Sequence, residues 1–499
     1  NETASIRGFD MPALPKQPLI YEINTWAWLG ELSRRHRHPV TLASVPREEW
    51  EAVAAFGFDA VWLMGVWQRS PAGTRRARSL DPLLEQCRAI LPDFTPADIQ
   101  GSPYCVRDYT VDERLGGPEG LRLARAALAR CGLGLILDFV PNHVAMDHDW
   151  VDERPEFLIQ GDAADFTRAP EEFFRSGDRI FAFGRDPNYP PWTDVAQLNA
   201  FHPGLRDAAA GALLGIAGQC DGVRCDMSIL LINRIFRKTW GSRAGREPRR
   251  EYWVDVIGAV RDRRPDFTFI AEAYWDLERE LQQQGFDYCY DKRLYDRLLH
   301  EPAEAVRLHL SGDPDDQHRL LRFIENHDEP RAASVFGSTK GAAAAVVVAT
   351  LPGARLFHDG QLEGRKVRLP VQLGRQPGEA PDPVIRAFYL KLLHAVRDAR
   401  FRDGEWSLCE ISGWPDNESF RNLLSWRWVR ADRRHLIVAN LSARRSQARV
   451  RMPGVELTGR TWRLRDLLSG EEYERYGDEM TDPGLFVDLP PWGYHVLEF

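Results

Sequence analysis

The sequence predicts an α/β fold: a (β/α)8 (TIM) barrel, interrupted after its third strand by an inserted subdomain and followed by a C-terminal antiparallel β-sandwich domain. Three observations predict it. Eight short apolar runs alternate with helical patterns between residues 19 and 397, the rhythm of parallel strands joined by crossover helices. That rhythm breaks once, across residues 144–195, where the chain turns polar, aromatic and turn-rich. It ends near residue 402, after which short alternating runs separated by turn residues read as antiparallel strands. The expected division is a barrel over residues 1–143 and 196–402, an insertion over 144–195 and a β domain over 403–499.

Each element has its own signal. Residues 1–17, polar and Pro-containing, form a lead-in. Residues 19–24 are the first strand, with Trp26 and Trp28 in the loop beyond it. A helix over 48–56 stops at Gly57, a residue suited to a C-cap. Residues 60–64 are apolar throughout, as a strand covered on both faces must be. Residues 65–117 are rich in Arg, Pro and Asp and carry no regular period. A helix over 121–131 then precedes the third strand at 133–140. Beyond the insertion, a helix over 204–218 leads to the fourth strand, which ends at Asp226. A helix over 251–263 precedes the fifth strand at 267–271. Short strands at 286–290 and 321–325 are the sixth and seventh. An Ala- and Val-rich helix over 342–351 leads to the eighth strand at 354–357, and a helix over 384–397 closes the barrel. In the β domain, residues 426–429, 435–440, 447–451, 486–489 and 494–497 alternate.

Composition narrows the function. With 499 residues, 43% hydrophobic and 28% charged, the chain is globular, and a net charge of −8 argues against a nucleic-acid partner. No apolar run is long enough to span a bilayer, so no membrane role is expected. Seven cysteines without a CxxC pair read as reduced thiols and point to the cytoplasm. Nothing in the sequence sets an oligomeric state.

Four strand ends carry chemistry-bearing residues. The third ends in Asp138, with Asn142 and His143 close behind. The fourth ends in Gly222-Val223-Arg224-Cys225-Asp226. Side chains two apart on a strand share a face, so Arg224 would hold the Asp226 carboxylate ionised and aimed. The fifth leads into Glu272, and the seventh into Asn326-His327-Asp328. One polar strand end is commonly a helix cap; four in one barrel converge on the mouth where such barrels bind and react. Three acids with two His and an Arg suit glycosidic chemistry, in which one carboxylate attacks and a second group passes the proton. A divalent metal is the other use of such a cluster, and Arg224 argues against it by already occupying Asp226. Cys225, between the two key residues, points into the packed side of the strand.

These blocks resemble the α-amylase family of glycoside hydrolases, family 13. Asp138 to His143, Gly222 to Asp226, Ile270-Ala271-Glu272 and Asn326 to Asp328 occur in the family's order, and the barrel-plus-β-domain layout covers nearly the whole chain. The resemblance implies a retaining α-glycosidase acting on α-glucosidic bonds. In it Asp226 is the nucleophile, Glu272 the general acid/base and Asp328 the transition-state stabiliser. Arg224 holds Asp226, His143 and His327 bind sugar hydroxyls, Asp138 braces the site, and Tyr104 stacks under the sugar being cleaved. The retaining reading expects the Asp226 and Glu272 carboxyls about 5–5.5 Å apart. Trp26, Trp28, Trp67 and Trp275 are each either sugar platforms or core, and Arg331 is expected to pair with Glu329.

The chain also departs from the family pattern. Ile229 and Leu230 stand where many relatives have Lys-His, and Gln197 stands where a calcium-binding Asp is common. With Asn142 as the one other candidate ligand, the cage is poor for a hard cation. No cofactor is therefore expected to be required, and no residue is assigned to a metal. The carbohydrate partner is an α-glucoside. Two rival readings are a transglycosylase of the same family and a non-catalytic binding module; the latter is opposed by the presence of all three acids.

Overall fold

A computed structural model describes residues 13–398, 400–431 and 433–499. Eight parallel strands close into a barrel: β1 (Leu19–Asn24), β2 (Ala60–Met64), β3 (Gly134–Phe139), β4 (Gly222–Cys225), β5 (Thr268–Ala271), β6 (Tyr288–Tyr290), β7 (Leu320–Arg322) and β8 (Ala354–His358). Consecutive strands are neighbours, and β8 closes on β1 with Leu19 opposite Arg355. Most strands are buried at every position, because side chains facing inward fill the barrel and those facing outward meet the helices. The interior is not purely apolar. Arg322 and Arg355 are fully buried within it, and Arg322 donates to the Pro352 carbonyl at 2.7 Å. At the entry to β8 the chain passes so close to β7 that a Cβ on Gly353 would lie 2.2 Å from the Leu320 carbonyl oxygen, and its φ of +101° suits only glycine.

Between β3 and β4 the insertion builds its own small antiparallel sheet, from His143–Ala145, Trp192–Gln197, Arg179–Gly184 and Gln160–Gly161, with Phe173–Ser176 alongside. Phe157, Phe174, Phe181 and Phe183 supply its separate core. The C-terminal domain has two antiparallel sheets. One runs in the order β9 (Glu405–Leu408), β11 (Leu423–Arg430), β12 (Arg433–Asn440), β17 (Tyr494–Glu498), β14 (Thr461–Asp466), β15 (Glu472–Tyr476). The other joins β10 (Glu410–Ser412), β13 (Ser446–Arg451) and β16 (Leu485–Leu489). Leu423 and Leu436 from the first share one core with Val450, Val487 and Leu489 from the second, so the pair is a sandwich. It is tied to the barrel by Trp426 and Trp428, whose indole N–H groups both donate to the Thr350 carbonyl, at 3.2 and 2.7 Å.

Several local expectations need correction. Trp26 and Trp28 lie in the helix Thr25–His36, which starts at once because the Asn24 side chain accepts from Ala27 N at 3.4 Å. The stretch 65–117 is not irregular: it holds the helices Pro71–Ala77 and Asp81–Ile90 and a two-stranded ribbon, Trp67–Arg69 with Val106–Val111. Strand β7 ends at Arg322, so Glu325 lies beyond it. Strands β14 and β15, not singled out from the sequence, expose one charged face. The lead-in falls partly outside the described residues. The seven cysteines are all free, and no helix among the described residues is long and apolar enough to cross a membrane.

Candidate active site

The site grows out of the register of β3, β4 and β5. Arg224 sits opposite Asp138 on one side and Ile270 on the other. The ladder continues one step beyond the strands, with Asp226 N donating to the Phe139 carbonyl at 2.8 Å and Glu272 N to the Cys225 carbonyl at 3.1 Å. Asp226 and Glu272 therefore leave adjacent strands at one level. Alternation turns Arg224 and Asp226 inward and leaves Cys225 fully buried on the other face.

One guanidinium then gathers the acids. Arg224 Nη1 lies 2.7 Å from Asp226 Oδ1, and Nη2 lies 2.6 Å from Glu272 Oε2. Asp138 Oδ1 is 4.0 Å from Nη1. The rings of Tyr104, Trp62 and Tyr290 surround the cation, with centroids 5.1, 5.4 and 5.8 Å from its central carbon. Burial pushes the Asp226 carboxyl up to about 8; Arg224 pulls it down, and Glu272 adds to the rise. Burial also raises Asp138 to about 6 against the pull of Arg224. Its oxygens accept from Gly65 N at 2.8 Å and Trp62 Nε1 at 3.2 Å, which holds the carboxyl in place.

The loop after β7 brings the third acid. Asn326 Oδ1 accepts from the backbone N–H groups of Asp328 and Glu329, both at 2.9 Å, and so shapes the turn that presents Asp328. His327 Nε2 lies 2.9 Å from Asp328 Oδ2 and 2.6 Å from the Tyr104 hydroxyl. Asp328 is held well below the usual carboxylate range: burial opposes this, but His327 outweighs it, with help from Arg224 and Arg368. His143, on the strand His143–Ala145, is buried, and burial lowers it to about 4 against the Tyr104 backbone, so its ring is neutral.

Seven of the eight residues singled out thus form one connected set through Arg224, Tyr104 and His327, and His143 meets it at the Tyr104 backbone. Arg331 does not pair with Glu329. It lies 2.7 Å from Glu325 Oε1, because Glu325 is buried beneath it, whereas Glu329 lies 3.5 Å from Lys292 Nζ. Trp26, Trp28 and Trp67 are core, and Trp275 alone of the four is exposed, at 39%. Three contributors went unnoticed in the sequence. Tyr274 donates its hydroxyl to Glu272 Oε1 at 2.8 Å, and Met227 N donates to Glu272 Oε2 at 2.6 Å. Glu22, in the middle of β1, is fully buried with its carboxylate 2.5 Å from His327 Nδ1. A lone charge inside an apolar strand was its signal. A cavity of about 740 Å³ lies elsewhere, between Phe388, Trp492 and Tyr494; it contains none of these acids.

Comparison with known proteins finds α-amylases. The chain is 25% identical over 374 residues to the α-amylase MalA of Haloarcula japonica, a match that covers 73% of this chain and 47% of the relative. The chain resembles the α-amylase family of glycoside hydrolases. It spans about half the length of that curated relative. No family model matches. Among solved structures, the maltogenic α-amylase AmyB of Thermotoga neapolitana superposes with a TM-score of 0.69 at 18% identity, covering 97% of this chain and 98% of that one. An α-amylase from Geobacillus thermoleovorans, complexed with acarbose, gives 0.67 at 16%, covering 97% and 98%. Both likenesses establish the fold: the barrel with its C-terminal antiparallel domain. The place where an α-amylase-family calcium ligand was sought holds a neutral amide pair instead. Gln197 Nε2 donates to Asn142 O, Asn142 Oδ1 and Leu198 O at 2.9, 3.0 and 3.0 Å. Two of those acceptors are backbone carbonyls, so the nitrogen end must face them and the pair presents a donor where a cation needs oxygens. The residues do not fit a hard cation.

Proposed function

We propose that the protein is a retaining α-glycosidase that cleaves α-glucosidic bonds in oligosaccharides or α-glucans by double displacement. One observation carries the reading: Asp226 and Glu272 are held by neighbouring nitrogens of a single guanidinium. An inverting pair stands about 6.5–9.5 Å apart to admit a water, whereas a retaining pair is closer. In the first step Asp226 attacks the anomeric carbon while Glu272 gives its proton to the glycosidic oxygen. The bond to the leaving group breaks and a glycosyl ester forms on Asp226. In the second, water attacks the same carbon, Glu272 takes a proton from it, and Asp226 leaves as a carboxylate. Asp328 grips sugar hydroxyls most strongly as the ring distorts, Tyr104 lies under the ring, and His143 and His327 meet its hydroxyls. The reaction as drawn uses no metal and no cofactor.

The names of MalA and AmyB point to the same substrate class. Proton NMR of a maltooligosaccharide digest tests the assignment. The α-anomer should appear first and mutarotate later; first appearance of the β-anomer would replace the retaining mechanism with an inverting one. Products longer than the substrate, formed when acceptor sugar is added, would assign transglycosylation instead.

A further inference from the structure

His327 is the one site residue with an acid at each ring nitrogen. Nδ1 lies 2.5 Å from Glu22 Oε1 and Nε2 lies 2.9 Å from Asp328 Oδ2. A neutral imidazole has a single N–H, so one of these contacts would set a lone pair against a carboxylate oxygen. Only the imidazolium donates to both. Glu22 stands in register between Trp62 of β2 and His358 of β8, inside the barrel. Among the described residues, His327 is the one hydrogen-bond donor to its side chain. A carboxylate buried that deeply with one donor is tolerable only if the donor is charged.

We propose that Glu22 is a positioning residue: from within the barrel it holds His327 as an imidazolium, and His327 in turn holds Asp328 ionised and aimed at the sugar. The inference rests on the glycosidase reading for its consequence, not for its geometry. The surroundings agree. Asp138, on β3, adds to the negative field at His327, while the Tyr104 hydroxyl lies 2.6 Å from Nε2 beside Asp328. Arg224 and Arg368 act on Asp328 from the other side. Arg331, next along the same loop, is engaged by Glu325, His358 and the Asp359 carbonyl. Burial alone would discharge His327, yet Asp328 and Glu22 raise it to about 10.

The test is the titration of His327 in the full chain, by NMR of ¹⁵N-histidine-labelled protein with His327→Gln used for assignment. In the wild type the His327 signals should stay those of an imidazolium through pH 8. In Glu22→Gln the ring should titrate at least one unit lower than in the wild type. The loss in kcat should be pH-dependent, roughly tenfold or more at pH 8 and much smaller at pH 5.5, with KM little changed. Glu22→Asp should restore part of both effects. Wild-type His327 titrating near 6.5 with normal turnover overturns the proposal, and does so even if Glu22→Gln fails to fold. A kcat loss in Glu22→Gln that is equal at all pH values and leaves the titration unmoved also overturns it, because Glu22 would then be merely structural. Failure of the glycosidase reading looks different: no turnover of any α-glucoside by the wild type, whatever His327 does.

Discussion

Asp226 and Glu272 share one cation but perform different steps, and substitution separates them. Asp226→Asn removes the attacking oxygen, so turnover should fall by about 10³-fold or more on every substrate. Glu272→Gln removes the proton donor. The loss should be as large on maltooligosaccharides but much smaller in the first step on an aryl α-glucoside, whose phenolate leaves without help. Burst kinetics on the aryl substrate check this: an initial burst followed by slow turnover in Glu272→Gln, and no burst in Asp226→Asn. Equal losses on both substrates in Glu272→Gln would remove its acid role. Circular dichroism should be unchanged in both. These two acids were legible because each sits one step past an apolar strand, and because Arg224 lies two residues before Asp226, where strand geometry forces a shared face. Glu22 showed only as a lone charge in an apolar strand, with no sign of its partner, and Tyr274 did not show at all. Their partners lie on other strands or across a turn, and a single sequence does not say which inward positions meet at one height of a closed barrel.

At the scale of elements, the strands were the legible part and the connections were not. Strand β2 is a run of five apolar residues that has no use except burial on both faces. The helix Thr25–His36 was missed because its first turn is aromatic and resembles a loop platform, while its start depends on one Asn24 side chain. The insertion was visible as a break in period, but its attachment to the barrel rests on a contact that no pattern reveals. Its strand Trp192–Gln197 returns beside His143–Ala145, and at that junction Gln197 bonds both the backbone and side chain of Asn142. This neutral amide pair ties the insertion to the end of β3. We expect activity and thermal midpoint to be the same after exhaustive EDTA dialysis, measured by product release and by thermal unfolding with and without added calcium. Gln197→Ala should lower the midpoint, since it strands buried acceptors at a cost of about 1–3 kcal/mol. A sharp EDTA sensitivity in the wild type would show that another cluster carries a cation.

For the whole molecule, the buried site sets an asymmetric response to pH. His327 is raised from 6.5 to about 10, so its contribution to stability is fully present below about 6.5 and is lost as pH rises through about 10. Asp226, raised from 3.8 to about 8, acts in the same sense: its contribution is present below about 3.8 and is lost as pH rises through about 8. Asp328 has the opposite sign. Its depressed carboxyl stabilises the fold above 3.8, and that contribution is lost only when strongly acidic solution protonates it. Two site groups therefore weaken the fold on the alkaline side, while the acid side is protected until the His327–Asp328 pair breaks. The thermal midpoint should fall steadily from pH 6.5 to pH 10 and fall less steeply in His327→Gln, which removes the larger alkaline contributor. Activity should follow a different course, because the attacking Asp226 must be ionised: kcat should rise as pH approaches about 8 while the midpoint is already falling. Midpoint and kcat measured across the same buffers separate the two. If they decline together and identically in wild type and His327→Gln, the alkaline loss is general unfolding, and the buried charges of the site do not govern it.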